Sequence, residues 1–243
     1  MSGALEGNTA VVAGGSRGIG LAVARVLVGA GARTAVLARN ARELEARAGE
    51  LGSDDAPYAI RCDLRDRADV ERAALAIRER FGAAPDILVN SAGLFHLARV
   101  EDIDDTDFAD TLAVNLVGPF RLVHAFLPEM RHRRRGHIVS IGSVADHTTF
   151  AENGAYAASK HGLRALHDVL RVELHGSGVR TTLVSPGPVD TSLWDSIDPP
   201  PDRREGFTQR ERMLEPDSVA AAVMYALLQP LAVNVDLVRL SRS

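Results

Sequence analysis

Short, almost uninterrupted apolar runs alternate with longer stretches of helical periodicity along the whole 243-residue chain, and this alternation limits the fold more than any other feature. The strand candidates are Thr9–Ala13, Thr34–Ala38, Tyr58–Arg61, Ile87–Asn90, His137–Ile141, Val179–Val184 and Val233–Val238. Runs of this kind suit parallel strands covered on both faces, where no side chain looks out to water. Helical patterns fill the gaps at about 18–29, 41–51, 67–81, 105–133, 154–176 and 216–228. Strand–helix alternation implies right-handed crossovers and a doubly wound sheet. One α/β domain over residues 1–243 is therefore expected, with a seven-stranded parallel sheet flanked by helices. The one long irregular stretch, about 186–215, contains Pro199-Pro200-Pro201 and reads as a lid covering a substrate pocket.

Composition removes several classes of function. Hydrophobic residues make up 46% of the chain and charged residues 25%, an ordinary globular balance. A formal net charge of -4 offers no basic field to nucleic acid. A single cysteine, Cys62, rules out an internal disulfide. The first eight residues lack a leader pattern, and no window approaches the ~20 apolar residues of a membrane span, so a cytoplasmic location is expected. The histidines show no ligand-pair spacing, so no metal is expected. The basic run 131–135 ends a long helix whose start, 101–110, is acidic. Both suit the helix dipole and read as solvated helix ends rather than a nucleic-acid patch.

The first strand candidate leads directly into Gly14-Gly15-Ser16-Arg17-Gly18-Ile19-Gly20 and then a helix. Glycines at these points let the backbone turn tightly and approach a pyrophosphate, while the helix N-terminus supplies N–H donors. A glycine turn alone serves ordinary turns too, but after the first strand of a βαβ unit it points to a Rossmann-type dinucleotide site. At the end of the second strand candidate an NAD site places a carboxylate for the ribose 2′-hydroxyl. Here the chain reads Leu37-Ala38-Arg39-Asn40, with no acid until Glu43. Arg39 is suited to clamp a 2′-phosphate, and Arg17 supplies a second cation, so NADP(H) is the expected cofactor.

Tyr156 and Lys160 lie four apart in a helical stretch and share one face. Lys160 is the only lysine among 28 basic residues, and with three tyrosines in the chain this spacing arises by chance about once in eighty placements. A neighbouring ammonium favours the phenolate, which makes Tyr156 a candidate acid/base with a lowered pKa. Ser143, 13 residues earlier, can donate to a carbonyl oxygen on which negative charge develops.

Taken together, these motifs resemble the short-chain dehydrogenase/reductase family in its shorter single-domain branch. The resemblance covers nearly the whole chain: the Gly14/Gly18/Gly20 turn, Asp63, Asn90-Ser91-Ala92-Gly93, Asn115, Ser143, Tyr156, Lys160 and Pro186-Gly187. It implies Asn115, Ser143, Tyr156 and Lys160 as the catalytic set. Asn115 would hold a water that links Lys160 to solvent, and Lys160 would hold the nicotinamide ribose. It also implies cofactor contacts from Gly14, Ser16, Arg17, Gly18, Ile19, Gly20, Arg39, Asp63 (to the adenine), Leu64, Asn90, Ala92, Gly93, Tyr156, Lys160, Pro186, Gly187, Val189 and Thr191 (to the carboxamide). Homodimers or homotetramers through the helices carrying Asn115 and Tyr156 are likewise implied.

The chain departs from the family in three places. Ala13 stands where threonine is usual, and Ser91 replaces the second asparagine of Asn-Asn-Ala-Gly. The stretch around Asn234-Val235-Asp236 lacks the family's Gly-rich turn and resembles the branch acting on 3-hydroxy acids and small aldehydes.

Phe95, His96, Val144, Phe150 and Trp194 fall just after strand ends, where α/β sheets place their ligand crevice. With Ser143 and Tyr156 they are expected to line a largely apolar pocket for a small or medium carbonyl or alcohol substrate. The reading is reversible hydride transfer between NADP(H) and that substrate. An NAD-preferring dehydrogenase and a non-catalytic NADP(H)-binding sensor or scaffold remain as alternatives.

Overall fold

The computed structural model describes residues 3–51, 57–197 and 210–243. Seven strands, β1 (Thr9–Ala13), β2 (Arg33–Ala38), β3 (Tyr58–Arg61), β4 (Ile87–Asn90), β5 (Gly136–Ile141), β6 (Val179–Pro186) and β7 (Leu237–Leu240), form one sheet. Their order is β3-β2-β1-β4-β5-β6-β7, and every adjacent pair is parallel.

Consecutive residues of a strand point to opposite faces, and β1 shows why both faces must be apolar. Ala10 and Val12 join the core on one side, Val11 and Ala13 on the other, and all four are fully buried. The first side is covered by α1 (Gly18–Gly29), α2 (Ala41–Glu50) and α7 (Pro216–Leu227), through Val23, Leu27, Leu44, Val219 and Val223. The second is covered by α3 (Arg67–Phe81), α5 (Gly118–Arg133) and α6 (Gly154–Glu173), through Ile77, Leu122, Phe126 and Leu170. Successive crossovers run outward from β1 toward β3 and from β4 toward β7, so the direction of winding reverses between β1 and β4. Ligands bind outside the carboxyl ends of strands at such a reversal.

Three expectations need correction. The single helix read over 105–133 is α4 (Asp105–Leu112), a π-type segment at Ala113–Val117, and α5. The wide turn coincides with Asn115, whose amide is bonded to Leu94 rather than to its own helix. The last strand starts at Leu237, not Val233. The Asn234 side chain pairs with both the N–H and the carbonyl of Thr181, at 2.9 and 3.0 Å, and so replaces the ladder there. The expected lid is described only at its two ends. These are pinned together by Asp190 N–H to Leu214 O and Leu214 N–H to Pro188 O, both 2.8 Å. Residues 198–209, with the three prolines, lie outside the described residues.

His137 is buried in β5, with Nε2 2.8 Å from Thr182 Oγ1. Burial pushes its pKa down to about 3. A group depressed in the folded state contributes stability that is complete above the unfolded value near 6.5 and lost as pH falls below it. That loss is about 1.4 kcal/mol per pH unit for one proton. Denaturant unfolding between pH 7 and 4 should therefore show a smaller loss of stability for His137→Asn than for the unsubstituted protein. Equal losses would assign the acid sensitivity elsewhere.

Candidate active site

At the end of β1 the chain turns under the start of β4's loop. Gly14 has φ +82°, and a Cβ there would lie 2.6 Å from the N and Cα of Ala92. A Cβ on Gly20 would collide with the carbonyl oxygen of Gly14. The turn is thus closed against its own helix on one side and against the β4 loop on the other, a close approach open only to glycine. The unpaired N–H groups at the start of α1 face this turn and suit an anion.

A cavity of about 970 Å³ opens over this turn. Apart from Asn90 and Asn115, every residue expected to bind cofactor or act in catalysis lines it. Both amide atoms of Asn90 and the hydroxyl of Ser91 are buried without a hydrogen-bond partner among the described residues. A cradle that no side chain could enter, unpartnered polar atoms beside it and a cavity running from the glycine turn to Tyr156 fit a dinucleotide. Exposed Arg17 and Arg39 both reach the cavity wall. Asp63 is held by Arg65 at 2.7 Å, and this hydrogen bond keeps its carboxyl below the usual range. Arg65 also meets Asp110 at 2.5 Å, which ties this end of the cavity to α4.

The other end holds the three chemical side chains. Ser143 follows β5, and Tyr156 and Lys160 stand on one face of α6. The Ser143 hydroxyl stands near enough to the Tyr156 phenol to work against the rise in its pKa. The Lys160 ammonium is buried, donates to the carbonyl of Ile141 at 2.8 Å and lies 5.6 Å from the Tyr156 ring centre. Its two other N–H donors are not used by that bond.

The expected lowering of the Tyr156 pKa by Lys160 is not what the protein's own field produces. Burial raises it, and this outweighs the opposing effect of Ser143. Burial also lowers Lys160 to about 8. Part of the Tyr156 surface still faces the cavity, so a substrate seated there completes its burial. The phenol is accordingly protonated at neutral pH, the form that donates a proton.

Asn115 is 1% exposed, and its amide is occupied. Its oxygen accepts from Leu94 N–H at 2.7 Å, and its nitrogen donates to Leu94 O at 2.9 Å and Ser159 Oγ at 3.0 Å. Both amide hydrogens are thus taken, so a water held here would donate to a carbonyl oxygen of Asn115 rather than accept from its amide. What the side chain does here is brace the loop after β4 against α6.

The substrate half is apolar. Phe95 makes edge-to-face contacts with Tyr156 and Trp194, at 4.8 and 5.6 Å between ring centres. Trp194 is fixed by donation from its indole N–H to Val189 O at 2.8 Å. Leu94, Leu97, Val144, Ala151 and Leu193 complete this wall, and half-exposed Phe150 stands at its rim. Among the described residues, the ionisable groups lining this half are Tyr156 and Lys160. His96 lies outside it, in a smaller adjoining recess with Arg17 and Asp195.

Sequence reasoning missed Asp146. It is fully buried behind Ser143, and its carboxylate accepts from the Ser143 N–H at 3.3 Å. The Ser143-x-x-Asp146 spacing of a capping box was the available signal.

A profile described as short chain dehydrogenase matches residues 8–202. The D-threitol dehydrogenase of Mycolicibacterium smegmatis is 38% identical over 226 residues, covering 91% of this chain and 86% of its own. A metagenomic short-chain oxidoreductase in complex with NADP superposes with a TM-score of 0.84 at 31% identity, over 99% of both chains. An alcohol dehydrogenase from the archaeon Thermococcus sibiricus, complexed with 5-hydroxy-NADP, gives 0.85 at 31% identity, over 97% of this chain and 96% of its own. With the glycine cradle, the parallel sheet and the Ser143/Tyr156/Lys160 cluster in place, these matches mean that the chain belongs to the short-chain dehydrogenase/reductase family of oxidoreductases.

Proposed function

We propose that the protein is an NADP(H)-dependent carbonyl reductase, reversible toward the alcohol, acting on uncharged small or medium substrates with apolar substituents. One observation carries the reading. The Ser143 and Tyr156 hydroxyls and a buried ammonium line one end of a cavity whose other end is a glycine cradle suited to a pyrophosphate.

The nicotinamide, when bound, supplies the hydride that reaches the carbonyl carbon. The chain's own groups handle the oxygen. Ser143 donates a hydrogen bond to it, and Tyr156 gives up its proton to it as the carbon–oxygen double bond becomes single. Lys160 stabilises the phenolate left behind. The apolar wall around Phe95 and Trp194 keeps water from competing for that proton. A substrate carboxylate would lose its hydration against this wall, where the nearby cations are Lys160 and, in the adjoining recess, Arg17, read here as a cofactor contact; this supports neutral carbonyls over the 3-hydroxy acids suggested by the chain's C-terminal sequence.

The cofactor choice rests on Arg39 and Arg17, on the missing acid after β2, and on the NADP complexes of two similar structures. Exposed Phe120 on α5, with Val169 and Val172 on α6, supports homo-oligomers through these helices.

Four measurements test the reading. Dissociation constants should favour NADPH over NADH by at least roughly tenfold, about 1.4 kcal/mol, and Ala38→Asp should reduce that ratio. Equal affinities would mean that the arginines face solvent and that NAD is the cofactor. Tyr156→Phe should cut kcat for NADPH-linked ketone reduction by ~10²–10⁴-fold. In the unsubstituted enzyme kcat/KM should hold at neutral pH and decline as pH rises through about 8, because reduction needs Lys160 charged and Tyr156 protonated. Full activity in the Phe variant would remove Tyr156 from the mechanism. Finally, Phe95→Ala and Trp194→Ala should each raise KM for aryl ketones more than for acetone-sized ones. An unchanged substrate profile would refute the pocket assignment.

A further inference from the structure

We propose that Asp146 is a positioning residue of this site: it holds Ser143 from behind and supplies the negative charge against which Tyr156 and Lys160 operate. The proposal rests on the reductase reading above and concerns a residue that touches neither substrate nor cofactor.

The Asp146 side chain is 0% exposed, and a carboxylate in that position is costly unless its oxygens are paired. Both are. Oδ2 accepts from the Ser143 N–H at 3.3 Å and, at close range, from the Ser185 hydroxyl. Oδ1 lies 2.6 Å from His147 Nδ1 and 3.6 Å from Arg164 Nη1. Four segments therefore meet at one carboxylate: the end of β5, the short turn Val144–Asp146, β6 through Ser185, and α6 through Arg164. Ser143 Oγ in turn accepts from the Ala145 N–H at 3.1 Å, so backbone and side chain of Ser143 are fixed together.

A second chain position is adapted to this arrangement. A Cβ on Gly142 would collide with Asp146 Oδ2 and lie 2.9 Å from Ser185 Oγ. Glycine at 142 leaves the room in which the carboxylate sits, directly between Ile141, whose carbonyl holds Lys160, and Ser143.

The charges around this carboxylate can be named. Arg164 is 29% exposed and is shared with Asp168, 3.9 Å away on the outer side of α6. His147 lies on the turn's own segment. Across Gly142, which packs on the carboxylate and whose neighbour Ile141 holds Lys160 through its carbonyl, stand Lys160 and Tyr156, and a negative charge there favours the protonated form of each. A proton kept on Tyr156 is the proton that carbonyl reduction consumes.

The test uses Asp146→Asn, which keeps the shape and removes the charge, and Arg164→Gln, which removes the compensating cation at the partly exposed end. Two readouts are taken on each: the alkaline limb of kcat/KM for carbonyl reduction at saturating NADPH, and the tyrosinate absorbance of Tyr156 obtained by difference from Tyr156→Phe. In Asp146→Asn both should move to lower pH by roughly 0.5–1 unit, and in Arg164→Gln both should move to higher pH. A carboxylate that only braces the fold would lower the amplitude in Asp146→Asn and leave both midpoints in place. Unmoved midpoints, or shifts of the same sign in the two variants, overturn the proposal. Should Asp146→Asn fail to fold, Asp146→Ser is read in the same way, and unmoved midpoints overturn the proposal. Should the unsubstituted protein reduce no carbonyl, the reductase reading fails, while the tyrosinate titration still decides the role of Asp146.

Discussion

Parallel pairing of seven strands brings all their carboxyl ends to one edge, and the reversal of winding between β1 and β4 opens that edge into a cleft. What keeps the cleft narrow is the contact of Gly14 with the backbone of Ala92, too close for any side chain at position 14. A residue with a Cβ there would push the β1 turn away from the β4 loop. The cradle, the cavity above it and the spacing between the glycine turn and Tyr156 all follow from this approach.

At the chemical end the governing term is burial. A phenol and an ammonium removed from water are both driven toward their neutral forms, which raises one pKa and lowers the other. Attraction between Tyr156 and Lys160 alone would favour a phenolate, the base needed for alcohol oxidation. Burial instead favours the protonated phenol and a neutral amine; the Asp146 carboxylate adds to burial at Tyr156 and opposes it at Lys160. Arg164 keeps that carboxylate from being an isolated buried charge, which would be far more costly than a solvated one.

The two halves of the cavity use different physics. Toward the glycine turn, Arg17, Arg39 and the Asp63–Arg65–Asp110 cluster stand in partly hydrated surroundings. Individual ion pairs there contribute little stability but organise charge toward an anionic ligand. Toward Tyr156, aromatic edges and aliphatic side chains exclude water, so the few hydrogen bonds that remain act in a medium of low polarity and count for more.

Much of this was legible in the chain. Six of the seven strands and most of the helices announce themselves by period, because a strand covered on both faces has to be apolar throughout and a covering helix has to be apolar on one side. The glycine turn and the Tyr156/Lys160 spacing are equally local, since each depends on residues within a turn or two of one another. What required the tertiary structure was every feature whose partner is distant in sequence. The start of β7 is set by Asn234 meeting Thr181, the interruption at Ala113–Val117 by Asn115 meeting Leu94, and the proton balance of Tyr156 by enclosure and by Asp146. By itself the sequence determined most of the strands and helices and which side chains gather at the cleft. Only the packing of those segments decided how that chemistry is poised, because desolvation and charge–charge distance are properties of the folded interior rather than of any stretch of chain.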